Sequence, residues 1–245
     1  MKILVLESSG LVASVAVVTE EKLIGEYTTN FKKTHSQTLL PMMDTLLKMI
    51  GIPVQEMDAI AVSGGPGSFT GLRIGSATAK GLGLALSIPI ISVPTVDAIA
   101  YNLCGTDAVV CPLMDARRNQ TYTGLYTFDG DQMKCISGQK AVMLGEIIDE
   151  INQLGRKVIF LGDGVPVFKP YIEEHIQVPH SYAPIHLSQQ RAGALGALLF
   201  SIIMKANTSL QQNISRIISD FHRLKENLQP KKGRKKHDDK KDAVG

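Results

Sequence analysis

The spacing of apolar and polar positions changes several times along the first hundred residues, and each change marks an element. Residues 3–7, 14–18 and 23–27 are short runs rich in Val, Ile and Leu, separated by turn-like segments, the pattern of an antiparallel meander. Residues 35–50 switch to helical spacing. Thr34 followed three positions later by Gln37 predicts a capping box, and Gly51 and Pro53 mark the stop. A buried-type strand at 59–63, a helix of small residues at 70–86, a strand at 90–93 and a helix at 95–103 complete a β-β-β-α-β-α-β-α unit.

The pattern then starts again. Residues 109–115, 121–128 and 133–139 read as strands, 144–154 as a helix and 157–161 as a strand. Each half opens with an apolar strand that ends in an acid, Glu7 in one and Asp115 in the other. This predicts an α/β protein of two duplicated lobes with a βββαβ core, the RNase H-like ground plan of the actin, Hsp70 and sugar-kinase group. Residues 1–104 form the first lobe and 105–186 the second, the latter ending in a connector with Pro166, Pro170, Pro179 and Pro184. A long helix at 187–206 and a shorter one at 214–224 are expected to pack back on the first lobe within segment 187–229.

Composition narrows the class. The chain has 245 residues with 44% hydrophobic and 20% charged residues, ordinary for a globular protein and unlike a fibrous or wholly disordered one. The most apolar stretch, residues 194–204, is too short for a bilayer span of roughly 18–20 residues. Cys104, Cys111 and Cys135 form neither a disulfide framework nor a Cys-x-x-Cys pair, so a soluble cytoplasmic protein without membrane contact is expected. The net charge of +3 comes from one place. Residues 230–245 contain seven basic and three acidic residues, a net of +4, which leaves residues 1–229 at −1. The globular part therefore has no charge bias toward nucleic acid, and the basic tail is expected to be disordered.

Two neighbouring helices stand out. In 70–86, Gly71, Gly75, Ala79 and Gly83 recur every four residues, although each interior Gly costs about 1 kcal/mol relative to Ala. Close approach of another helix is the reason expected, and helix 35–50 is the candidate. There Leu39, Met43, Leu46 and Ile50 form one stripe, widened by Leu40, Met42, Leu47 and Met49, with Pro41 bending the helix. A Met-rich helix this apolar is either deeply buried or an adaptable partner surface; the partner surface is the reading carried forward. Its candidate contacts are His35, Leu39, Leu40, Met43, Leu46, Leu47 and Ile50, with Leu72, Gly75 and Ala79 of the second helix.

The segment Gly64-Gly65-Pro66-Gly67-Ser68-Phe69-Thr70-Gly71-Leu72-Arg73-Ile74-Gly75 joins a strand to a helix. Such a turn suits an anion, but it matches neither the Walker A spacing nor the dinucleotide pattern. An anion cradle and a tight packing turn both remain open. Candidate phosphate or nucleotide contacts are Glu7, Ser8, Ser9, Gly65, Gly67 and Ser68 from the first lobe, with Arg117 and Arg118 from the second. In the second lobe those arginines stand where a phosphate hairpin needs Gly, and Gly162-Asp163-Gly164 is a faint adenosine-loop echo. His35 has Leu39 four residues on, and leucine cannot ligate a metal, so no metal site is expected. Ser68 lacks a Gly-x-Ser-x-Gly elbow, which counts against a hydrolase.

Together the Glu7-Ser8-Ser9 turn, His35-Ser36 through Leu39-Leu40-Pro41, the Gly65–Gly75 segment and Asp115-Ala116-Arg117-Arg118 resemble the TsaB (YeaZ) family over about residues 1–225. The resemblance implies two actin-like lobes and a non-catalytic scaffold for threonylcarbamoyl modification of adenosine 37 in ANN-decoding tRNAs. It implies a heterodimer with the transferase TsaD, recruitment of the ATPase TsaE, and a homodimer through the same two helices. No cofactor of its own is implied; ATP or ADP and metal belong on partner subunits, and tRNA is met only through the complex. Glu7-Ser8-Ser9 departs from the family's usual Asp-Thr-Ser, and Phe221-His222-Arg223-Leu224 running into the basic tail departs from its usual end. The competing expectations are an independent actin-like ATPase or kinase, and a glycoprotease-like metalloenzyme.

Overall fold

A computed structural model of the chain describes residues 1–31 and 34–205. The first half runs β1 (Ile3–Glu7), β2 (Ala13–Val18), β3 (Leu23–Thr29), α1 (His35–Ile50), β4 (Ala59–Ser63), α2 (Phe69–Leu86), β5 (Ile90–Val93) and α3 (Thr95–Ala100). The second half repeats that order as β6 (Val109–Asp115), β7 (Gln120–Asp129), β8 (Gln132–Met143), α4 (Leu144–Leu154), β9 (Val158–Leu161), α5 (Val165–His175), β10 (His180–Tyr182) and α6 (Ala192–Lys205). The sheets are ordered β3-β2-β1-β4-β5 and β8-β7-β6-β9-β10. In both, the first three strands are antiparallel and the last two join parallel to the central one. The duplication is thus complete, a βββαβαβα unit twice.

Every residue of β1, β2 and β4 is buried, because the first sheet is covered on both faces. Leu4, Leu6, Val15, Val17, Ile60 and Val62 alternate onto the face that packs against α1. Ile3, Val5, Ala16, Val18, Ala59 and Ala61 point the other way, onto α6. That second layer is borrowed, since α6 belongs to the other half of the chain. The exchange is mutual: Val96, Ile99 and Ala100 of α3 form a core with Val110, Met114, Tyr126 and Leu161 of the second sheet. Tyr126 adds a buried hydrogen bond across this seam, its hydroxyl donating to Asp97 Oδ1 at 2.5 Å.

Several expectations need correction. The Pro-rich connector contains α5 and β10. Pro166 falls in the first turn of α5, where the missing N–H has no partner to lose, so it starts a helix instead of preventing one. The long helix begins at Ala192, not 187, and β8 extends to Met143. Thr34 makes no side-chain cap; the Gln37 N–H bonds its backbone carbonyl instead. The helix expected at 214–224 and the tail 230–245 lie outside the described residues.

The larger correction concerns α1 and α2. Leu39, Met43, Leu46 and Leu47 lie in the core of the first lobe, Ile50 is packed at its edge, and only Leu40 and Met49 of the widened stripe are exposed. The small-residue face of α2 does accept a close neighbour, but that neighbour is the lobe's own sheet and the turn that follows β1. A Cβ on Gly71 would stand 2.0 Å from the Ser8 carbonyl oxygen, and one on Gly75 2.4 Å from Ser8 Oγ; Ala79 is fully buried.

Gly75→Leu and Met43→Asp therefore act on the fold before they act on any contact. Each should cost about 3 kcal/mol or more, by overpacking and by an unpaired buried charge respectively. Denaturant titration checks this, and a wild-type midpoint for either would be incompatible with the packing. Tyr126→Phe should cost about 1–3 kcal/mol, because it strands the Asp97 carboxyl at the seam. The readout is a lower melting temperature in calorimetry.

Candidate functional site

The glycine-rich loop between β4 and α2 lies directly on the turn that follows β1. The Ser68 N–H donates to the Ser9 carbonyl at 2.7 Å, and Ser8 Oγ donates to the Gly71 carbonyl at 2.9 Å. A Cβ on Gly67 would meet the Ser9 carbonyl oxygen at 2.3 Å. Thr95 holds the loop from behind: its hydroxyl accepts from the Gly65 N–H at 3.1 Å, and its own N–H returns to the Gly65 carbonyl. The Gly65–Pro66 peptide is cis. Ser68 caps α2, its hydroxyl accepting from the Gly71 N–H. Of the two readings left open by the sequence, tight packing accounts for these glycines.

The turns after β1 and β6 are built alike. Glu7, fully buried, accepts the Ser9 N–H at 2.6 Å, and Asp115 accepts the Arg117 N–H at 2.8 Å. In each lobe an acid closes its own turn by accepting a backbone N–H two residues on. Burial pushes the Glu7 carboxyl above its usual range, opposed by the hydroxyls and N–H groups of Ser9, Ser63 and Ser8. Arg117, Arg118 and Asn119 all have positive φ, at 69°, 52° and 60°. For a residue with a Cβ that conformation costs roughly 1–2 kcal/mol, least for Asn.

Between the two turns lies a cleft of about 560 Å³. Of the candidate phosphate contacts, Ser9, Gly67, Ser68 and Arg117 line it, and Glu7, Ser8, Gly65 and Arg118 do not. Asp115, Asp163, Leu11, Tyr122 and Val167 are also in the lining, as is Phe69, whose ring has the Arg73 guanidinium 3.9 Å above it. Burial, and secondarily the Asp115 charge, raise the Asp163 carboxyl above its ordinary range, against the nearby Gln190 side chain. Gln190 was not singled out in the sequence, where an isolated glutamine in a loop carries no signal. Here it is buried and fills the space beside Gly10, whose Cβ would stand 2.3 Å from Gln190 Nε2.

His35 does not face a metal partner. Its Nε2 is 2.9 Å from the Gly10 carbonyl, and Leu39 is buried in the core. Among the described residues no group of three His, Cys, Asp or Glu side chains is placed to hold a metal ion. The adjacent helices α1 and α2 leave large apolar side chains exposed: Leu40 and Met49 on one, and on the other Leu84 and Phe69, which also lines the cleft.

Two lobes of identical strand order around a central cleft define the actin-like class. The family description "TsaD: tRNA N6-adenosine threonylcarbamoyltransferase" matches residues 22–225. The tRNA threonylcarbamoyladenosine biosynthesis protein TsaB of Bacillus subtilis (strain 168) is 36% identical over 174 residues, 71% of this chain and 76% of that protein. TsaB of Escherichia coli (strain K12) is 31% identical over 170 residues, covering 67% and 72%. The solved YeaZ of Pseudomonas aeruginosa superposes with a TM-score of 0.66 at 25% identity, over 81% of this chain and 91% of that one. The chain belongs to the TsaB (YeaZ) family, within the span of the wider TsaD family description.

Glu7 yields a pH test. Its folded pKa is raised, so its contribution to stability is greatest below the unfolded carboxylate value near 4.5 and is lost as pH rises through the folded value. Glu7→Gln keeps an acceptor for the Ser9 N–H and removes the buried charge. The variant should match or exceed wild-type stability at pH 7 and lose less between pH 5 and 8, as urea titrations across that range would show.

Proposed function

We propose that the chain serves the threonylcarbamoyladenosine modification of tRNA as a subunit without catalysis of its own, pairing with TsaD in the cytoplasm and bringing TsaE to the assembly. Its relatives carry the name of that pathway. The observation that carries the partner role is the exposed apolar surface of α1 and α2, on a lobe whose core is closed without it. The contact is made by Leu40 together with Phe69, Leu72 and Leu84; the buried stripe behind them sets the shape of the surface. A second copy of the chain competes for the same face, so homodimer and heterodimer exclude each other. Nucleotide and metal chemistry reside on the partners; in support of this, the Glu7 and Asp115 carboxylates already accept the Ser9 and Arg117 N–H groups. tRNA is reached through the complex.

Leu40→Glu combined with Leu84→Glu tests the face. Both side chains are exposed, so each change should alter monomer stability by no more than about 0.5 kcal/mol while abolishing co-elution with TsaD. Intact assembly on gel filtration would place the contact elsewhere. Sustained ATP turnover by the purified chain alone would overturn the non-catalytic reading.

A further inference from the structure

The two helices of the contact face carry an unbalanced charge. Across α1 and α2 there is one acid, Asp44, against three cations, Lys48, Arg73 and Lys80, a net of +2, although residues 1–229 together stand at −1. Asp44 is answered on its own helix, its Oδ2 lying 2.6 Å from Lys48 Nζ one turn on. Arg73 and Lys80, both exposed, have no carboxylate within ion-pair distance among the described residues. The Arg73 guanidinium lies over the Phe69 ring, a contact that leaves its charge in place. Seven residues, about two helical turns, separate the two cations, which puts them on one side of α2. There they line an open groove of about 400 Å³ with Phe69, Leu72, Ser76 and Ala77, and no acid shares that lining. Exposed Leu84 continues the same side one turn beyond Lys80.

An apolar strip bounded by unanswered cations discriminates between occupants. A second copy of the chain fits it poorly: a two-fold contact sets the same patch against itself, so two faces of net +2 meet with no unpaired acid on either. Like charges placed opposite one another oppose association. A phosphate backbone would suit the cations but would desolvate Leu72, Ala77 and Leu84 against a charged strand. A protein surface with an apolar ridge flanked by Asp or Glu satisfies both features. We propose that the α1–α2 face selects by charge: it takes a protein partner that presents carboxylates to Arg73 and Lys80, and the same two cations hold a second copy off. The inference rests on the contact role proposed above for that face.

Sedimentation of the full chain alone, with TsaD and with bulk tRNA compares the three occupants. Each mixture is run well below and well above about 0.1 M salt, where the screening length is about 10 Å. Raising the salt should tighten self-association and weaken TsaD binding, each at least about threefold. Arg73→Gln combined with Lys80→Gln should do the same at low salt, tightening one contact and weakening the other, an opposition that lost shape does not produce. Lys80→Gln alone leaves the Arg73–Phe69 contact intact and should show both effects in smaller measure, which keeps the test open if the double variant misfolds. TsaD binding that ignores salt, changes of the same sign in both affinities, or a chain monomeric at every salt even in the double variant would overturn the proposal. So would loss of tRNA binding in that variant with TsaD binding intact. Leu40→Glu with Leu84→Glu separates this inference from the reading beneath it. If that variant still binds TsaD, the face itself is misplaced; if it releases TsaD while Arg73→Gln with Lys80→Gln does not, the face stands and the charge selection falls.

Discussion

The backbone of α2 rests on the turn that follows β1, and the rest of the first lobe is arranged around that contact. Gly67, Gly71 and Gly75 come so close to Ser8 and Ser9 that a single Cβ would collide with a carbonyl or hydroxyl oxygen at 2.0–2.4 Å. The helix propensity lost at these glycines is offset by two hydrogen bonds between loop and turn, from the Ser68 N–H to the Ser9 carbonyl and from Ser8 Oγ to the Gly71 carbonyl. With the loop pinned, Ser9 and Ser68 stand at the edge of the interlobe cleft, and the exposed side of α2 faces solvent beside α1. One close approach thus positions both candidate sites.

The second constraint is the exchange of terminal helices. α3 completes the core of the second sheet, and α6 completes that of the first, so neither sheet is covered on both faces by its own half alone. Side chains from each half hold the other half's helix: the N–H groups of Ala192 and Gly193 at the start of α6 bond Ser14 and Glu26 of the first lobe, and Glu26 also pairs with Arg191. Covering both faces leaves every residue of β1, β2 and β4 buried. The same arrangement encloses a cleft between two acid-closed turns.

The turns that open the two lobes are each closed by a carboxylate: Glu7 and Asp115 accept the backbone N–H groups of Ser9 and Arg117. Elsewhere on the first lobe, Leu40 and Leu84 leave apolar surface exposed on α1 and α2.

The order of elements, the duplication, the acid at the end of each opening strand and the family were legible along the chain, because period, turn residues and a long specific motif are local properties. The α5–β10 segment was hidden, since four prolines read as a connector until Pro166 is seen to begin a helix. The apolar width of α1 and the bare face of α2 were visible as well, but their partner was not. Whether Met43 or Gly75 faces a neighbouring molecule or its own sheet depends on which surfaces lie opposite, and periodicity specifies that a face is buried without specifying by what. For the same reason Gln190 gained meaning only in the folded chain: its burial against Gly10 is a property of neighbours in space, and no order of residues along a chain displays it.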